Sequence, residues 1–277
     1  MSKSLARDRF CQEIQKPEPE INLAAAALYI AQEEYPALDC AAYLQTLDQM
    51  AATLRDRLPQ EAYPLKIIRA INQYLFGDLG FKGNERDYYN PQNSFLNDVL
   101  DRRTGIPISL SLVYLELAQR IGFPMTGVGM PGHFLIRPTL EDMAIFVDAF
   151  HQGEVMFEED CRDRLQQLYG QPARLQPEHL LPIGARPFLA RMLNNLKVIY
   201  LHHQDALRAL ATLDRILLLV PDAPLEHRDR GLIHYRLGNL DTARQDLTAY
   251  LQAVPDAPDV FEVQQVLGQI SQVQPEE

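Results

Sequence analysis

Apolar residues recur at helical spacing from Ile21 to Leu58, in "INLAAAALYIAQEEYPAL" and then in "CAAYLQTLDQMAATLRDRL". Pro36 interrupts the first run and Pro59 ends the second, so two helices are predicted. "PLKIIRAINQYLFGDLGF" keeps the same period and predicts a third helix, closed by Gly77. "GFKGNERDYYNPQNS" is dense in Gly, Asn, Asp and Pro and predicts a loop. A short helix is expected from Ser94 to Arg103, capped by Asn93 or Ser94. "PISLSLVYLELAQRIG" follows, with Pro107 at the first helical position and Gly122 at the C-terminal cap. Its interior is apolar nearly all round (Leu110, Leu112, Val113, Leu115, Leu117), which predicts a helix buried on most faces. The period then changes to alternation. Strands are expected at Met125–Met130, His133–Arg137 and Ala144–Phe150, separated by turns. Helices, one buried central helix and a small strand cluster together read as an α+β domain.

The last third is helical again, and it repeats. "VPDAP" occurs at Val220–Pro224 and at Val254–Pro258, an offset of 254 − 220 = 34 residues. Ala209 pairs with Ala243, and Leu213 with Leu247, at that same offset. Gly231, Gly238, Ala243, Leu247 and Pro255 fall on the small, turn and proline positions of a tetratricopeptide (TPR) repeat. Small residues let two helices approach, Gly238 makes the turn, and the proline ends the second helix. The first unit fits less well, because Lys197 stands where the second has Gly231. Asp259–Val273 reads as a lone capping helix. An ordinary helical bundle is the other architecture for this tail. The expected division is residues 1–183 for the α+β domain and 184–277 for an all-α repeat domain.

Composition narrows the partners. The 277 residues carry 37 acidic and 26 basic side chains, a net charge of −11. Such a surface repels phosphate backbones and anionic lipid, so neither nucleic acid nor membrane is an expected partner. No apolar run reaches the ~20 residues of a membrane span, and "MSKSLARDRFCQEIQKPEPE" has no signal-peptide core. Cys11, Cys40 and Cys161 are odd in number and widely spaced, which favours reduced thiols in a cytoplasm. His and Cys show no metal-ligand spacing, so no metal and no cofactor are expected.

"GVGMPGHFLIRP" and "IFVDAF" place His133 and Asp148 near the ends of neighbouring strands, two members of a catalytic triad without a third. "NSFLNDVLDRRTGIPISLSLVYLELAQRIGFPMTGVGMPGHFLIR", "VDAF", "RMLNNLKVIYL" and "RDRGLIHYRLGNLDTARQDLTAYL" resemble the bacterial SirB-type family, which joins a transglutaminase-like domain to TPR repeats. The resemblance implies a papain-like core and a Cys–His–Asp triad. On that frame Gly105, Arg120, Gly122 and Pro124 match, His133 takes the histidine place and Asp148 the aspartate place. Pro107 stands where the cysteine belongs, and Ala149 replaces the proline that usually follows the aspartate. A cysteine there gains acidity from the helix start and from the histidine. Proline has neither a nucleophile nor an N–H.

Two readings of the site stand. In one, the domain has lost its nucleophile, His133 and Asp148 tie strands together, and the protein is a binding or regulatory scaffold. In the other, His133 activates Ser111, one turn below Pro107, or a cysteine from elsewhere, in a hydrolase or acyl transferase. A regulatory factor working through protein contacts is a third. For the repeats, the TPR resemblance places Arg191, Asn194, Arg228, Tyr235 and Arg236 along the concave groove. Their guanidinium groups suit an acidic peptide or a C-terminal carboxylate. The competing expectation is that the protein's own acidic side chains fill that groove.

Overall fold

The computed structural model describes residues 3–58, 63–140, 144–170 and 173–273; Pro59, the expected helix stop, lies outside them. The chain divides into two compact units, Met1–Met192 and Leu193–Glu277. The first begins with α1 (Lys3–Ile14), α2 (Leu23–Glu34), α3 (Cys40–Arg57) and α4 (Pro64–Asn72). α1 is not foreshadowed by the hydrophobic pattern. Its buried apolar residues form a thin stripe, Ala6, Phe10 and Ile14, among charged residues. Asn22 caps α2 through the Ala25 N–H, and Asp39 caps α3 through those of Ala41 and Ala42. α4 is shorter than expected. Gln73–Asp78 widens into a π turn that contains Gly77, and the chain reverses at Gly80, whose φ is +74°.

β1 (Lys82–Gly83) pairs in parallel with β2 (Thr104–Gly105), which brings the start of the 82–93 loop beside the start of α6 (Pro107–Arg120). Between them lies α5 (Leu96–Arg102), capped by neither Asn93 nor Ser94. Asn93 is spent on the loop instead. It accepts from Asn84 and donates to the carbonyls of Asp87 and Tyr88. α6 is the central element, buried from Pro107 to Ala118 and packed against α2, α3, α4, α5 and the sheet. Glu116 on α6 accepts the Ala24 N–H at the start of α2, and Tyr114 donates to Asn72 at the end of α4. Gly122, φ +79°, closes α6 as expected.

The sheet comprises β3 (Met125–Val128), β4 (Leu135–Pro138), β5 (Phe146–Asp148), β6 (Glu154–Met156) and β7 (Pro182–Ile183), in the order β6-β5-β4-β3-β7 and antiparallel throughout. α7 (Glu158–Tyr169) follows β6. The three expected strands are present but shorter, and His133 falls in a turn before β4 rather than in a strand. No helix among the described residues is long and apolar enough to cross a membrane.

α8 (Ala185–His202) contains the division between units; α9 (Ala206–Leu219), α10 (Pro224–Arg236), α11 (Leu240–Ala253) and α12 (Val260–Val273) complete the second. The 34-residue repeat is visible in the backbone itself. Val220 has φ −135°, ψ 79° and Val254 has φ −137°, ψ 73°, and their N–H groups bond to Ile216 and Tyr250, also 34 apart. Gln204, φ +57°, occupies the turn position of Gly238, φ +78°. Ala209, Ala243, Leu213 and Leu247 are all fully buried. Lys197, the misfit of the first unit, is buried with its ammonium 2.7 Å from Glu226 and 3.2 Å from Asp229. The ion pairs occupy the space a small residue would leave.

A helix position and a turn position of the repeat predict opposite effects. A Cβ at Gly231 would stand 2.8 Å from Leu247 Cγ, so Gly231→Ala should lower the unit's unfolding free energy by about 1–3 kcal/mol. Gln204→Gly relieves a left-handed backbone and should raise it by up to about 1 kcal/mol. Urea denaturation of the two variants, monitored by circular dichroism, checks both signs.

Candidate functional site

Two turns build the site. Met130-Pro131-Gly132-His133 is a β-turn closed by the His133 N–H to the Met130 carbonyl, with Gly132 at φ +69°. A side chain at Gly132 would meet the Tyr169 hydroxyl at 2.7 Å, so glycine serves both backbone and packing. The second turn follows β5 and is held by Gly153, φ +76°, whose N–H bonds to the Asp148 carbonyl. Asn72 on α4 donates to the Gly153 carbonyl at 2.6 Å. Arg191 on α8 fastens the first turn: its Nη2 donates to the carbonyls of Met130 and His133, both at 2.6 Å, and its guanidinium lies over the Phe134 ring.

His133 Nε2 and Asp148 Oδ2 are 2.7 Å apart, and both residues are buried. His151, three residues on, brings Nδ1 to the same oxygen at 2.7 Å. Asp148 Oδ1 accepts the N–H groups of Phe150 and His151, at 3.0 and 3.3 Å. Burial would raise this carboxyl, but the bonds and charge of His133 and then His151 outweigh it and hold it down at about 2. Arg164 on α7 closes the group. Its Nη1 is 3.2 Å from both His151 ring nitrogens, and its Nη2 is 4.0 Å from Asp148 Oδ2 and 3.1 Å from Glu154.

Pro107 and His133 line one cavity of about 490 Å³, with Glu85, Tyr88, Phe150 and Arg164 around them. With Nε2 engaged by Asp148, Nδ1 is the His133 nitrogen left without that carboxylate. Among the described residues, no hydroxyl or thiol is bonded to the ring. Ser111 is fully buried, and its Oγ has no hydrogen-bond partner. Ser109 caps α6 instead, accepting the Ile106 N–H and donating to the Asn93 carbonyl. Cys161 sits in the apolar cluster of Val128, Met130 and Phe146, where burial, with the charge of Asp160 and Asp148, pushes its thiol up to about 12. Cys40 is buried and raised for the same first reason, and Cys11 is half-buried on α1.

The residues expected along the groove have separate partners. Arg191 belongs to the His133 turn, and Asn194 is half-buried on α8. Arg228 is bound by Asp229 and Asp259 and lies over Tyr250; Tyr235 donates to Gln269. Arg236 is exposed and lines a second cavity, of about 330 Å³, with Tyr200, Asp205 and Ile233. Sequence reasoning missed His151, Arg164 and the clamp by Arg191. The first had a visible signal, a histidine three residues after Asp148 in a glycine turn. The other two come from α7 and α8 and left none.

Fold and site together define a transglutaminase-like core followed by helical repeats. Residues 41–194 match the transglutaminase-like superfamily, and residues 196–268 match the tetratricopeptide repeat. Within that class the chain belongs to the UPF0162 family, in keeping with the SirB-type resemblance of its motifs. It is 40% identical over 242 residues to the UPF0162 protein of Xylella fastidiosa (strain 9a5c), covering 86% of each chain. It is 30% identical over 265 residues to that of Pseudomonas aeruginosa, covering 94% of this chain and 95% of that one. A shorter match, 37% over 144 residues, is to the F-box only protein 21 of Homo sapiens, covering 47% of this chain and 21% of that protein.

Cys161 gives a direct check on the chemistry of the site. A thiol held near 12 is almost entirely protonated at pH 8, where a free one near 8.5 is not. Iodoacetamide at pH 8 should leave Cys161 unlabelled in the folded chain and label it fully in denaturant, read by peptide mass spectrometry. Fast labelling of Cys161 in the folded chain would contradict its exclusion as the nucleophile.

Proposed function

We propose that the protein is a non-catalytic member of its superfamily, acting as a protein-binding or regulatory scaffold. The observation that carries this reading is Pro107 at the first position of α6, lining the same cavity as His133. The proline offers no reactive atom and no N–H for an oxyanion. Ser111 and Cys161 are buried and without a bond to His133, which supports the same conclusion. In this reading a transglutaminase-like domain over residues 1–183 keeps His133 and Asp148 as a structural pair. A repeat domain over 184–277 takes an acidic peptide or a C-terminal carboxylate, with the exposed Arg236 among its cations. Arg228 joins only by exchanging its own aspartates for the guest's. Three unpaired cysteines fit a reducing cytoplasm.

The test is a comparison of three chains. The native protein should show no transglutaminase or amidase turnover on amine and peptide substrates, and no labelling by thiol- or serine-directed electrophiles that depends on His133. Pro107→Cys should gain a thiol that labels faster than a free cysteine at pH 7, and His133→Ala should remove that advantage. Turnover by the native protein that vanishes in His133→Ala would establish the hydrolase reading instead. For the repeats, Arg236→Ala should weaken binding of a glutamate-rich peptide in fluorescence anisotropy. Its melting temperature should barely move, since an exposed charge contributes only about 0–1 kcal/mol.

A further inference from the structure

The cluster of His133, Asp148 and His151 is larger than a structural pair needs. A carboxylate tying two strands together requires one imidazole, and here two converge on one oxygen. Among the described residues these three are the group whose ligand atoms, His133 Nε2, Asp148 Oδ2 and His151 Nδ1, all lie within 4.8 Å of one another. We infer that they form a binding site for a divalent transition metal of the zinc class.

Three features support it. Two imidazoles and one carboxylate are a borderline nitrogen and oxygen set, which selects zinc and its neighbours over calcium or magnesium. The carboxylate is already oriented: Oδ1 is held by the Phe150 and His151 amides, leaving Oδ2 as the ligating oxygen. The turns carrying the ligands are fixed in turn, His133 by Arg191 and the His151 turn by Asn72. The change needed is small. The two nitrogen–oxygen distances are 2.7 Å, and ligands at ~2.0–2.1 Å from a tetrahedral ion stand roughly 3.3 Å apart. Each imidazole shifts its proton, through solvent, from the nitrogen facing Oδ2 to its other ring nitrogen, His133 Nδ1 and His151 Nε2, and offers the freed lone pair to the ion. The fourth position is left to water, since Pro107 contributes no donor in the adjoining cavity.

Arg164 is the competitor. Its guanidinium lies against His151 and within 4.0 Å of Asp148, so it supplies the positive charge that the cluster holds now. It is also bound to Glu154, which is half-exposed and can keep it when it swings outward. A metal therefore enters by displacing the arginine, and removing the arginine should strengthen the site.

The experiment uses the full chain stripped with a chelator and titrated with zinc alone by calorimetry. One ion should bind per chain. His151→Ala should weaken binding by about tenfold or more, and Arg164→Gln should tighten it. Asp148→Asn should abolish it; because that variant disturbs a buried residue, the half-exposed His151 carries the decisive comparison. Cobalt in place of zinc should give a visible absorption that His151→Ala removes. Failure of the native chain to bind zinc, or an affinity unchanged by His151→Ala, overturns the site. An affinity unchanged by Arg164→Gln overturns the displacement. None of these results depends on catalysis, so they leave the scaffold reading to its own test.

Discussion

One carboxylate organises the first unit's site. Asp148 is fully buried, and an ionised carboxylate in that position costs several kcal/mol unless its lone pairs are met. Four donors meet them: the His133 and His151 rings on Oδ2, and the Phe150 and His151 amides on Oδ1. The two amides exist in that place only because the chain turns after β5, and the turn depends on Gly153 and its bond from Asn72. His133 reaches Oδ2 only because Pro131 and Gly132 turn it there and Arg191 holds the backbone. Remove the carboxylate and two turns lose the charge they are built around.

Beside this centre, α6 begins with a residue suited to starting a helix. Pro107 has a fixed φ and no N–H, so it starts α6 without leaving an orphan donor. Ser109 completes the start by bonding the Ile106 N–H and tying the loop that carries Tyr88. Burial of Asp148 is what makes it need its histidines.

Much of this was legible in the sequence, for identifiable reasons. α6 announced itself through Pro107, Gly122 and an unbroken apolar interior, and the repeats through two identical turns. His133 and Asp148 stand out because glycine and proline punctuate the segments around them. What was not legible depends on contacts between distant segments. Arg191 looked like a groove residue of the repeats, yet its guanidinium bonds the Met130 and His133 carbonyls about sixty positions earlier. Asn93 looked like a helix cap, but the loop before it claimed its amide. α1 leaves little trace because its three buried apolar residues, spaced by four, make too narrow a stripe. A short pattern reports what a segment can form, and long-range hydrogen bonds decide how its polar groups are used.

The claim on which the rest stands is that Asp148 holds the His133 ring through Nε2. Proton and nitrogen NMR of the chain labelled with ¹⁵N-histidine tests it without any substrate. The account predicts a slowly exchanging, strongly deshielded proton on Nε2 of His133 in the metal-free protein, lost in Asp148→Asn. A His133 ring whose Nε2 proton exchanges freely with water in the native chain, or which is unaffected by Asp148→Asn, would contradict it.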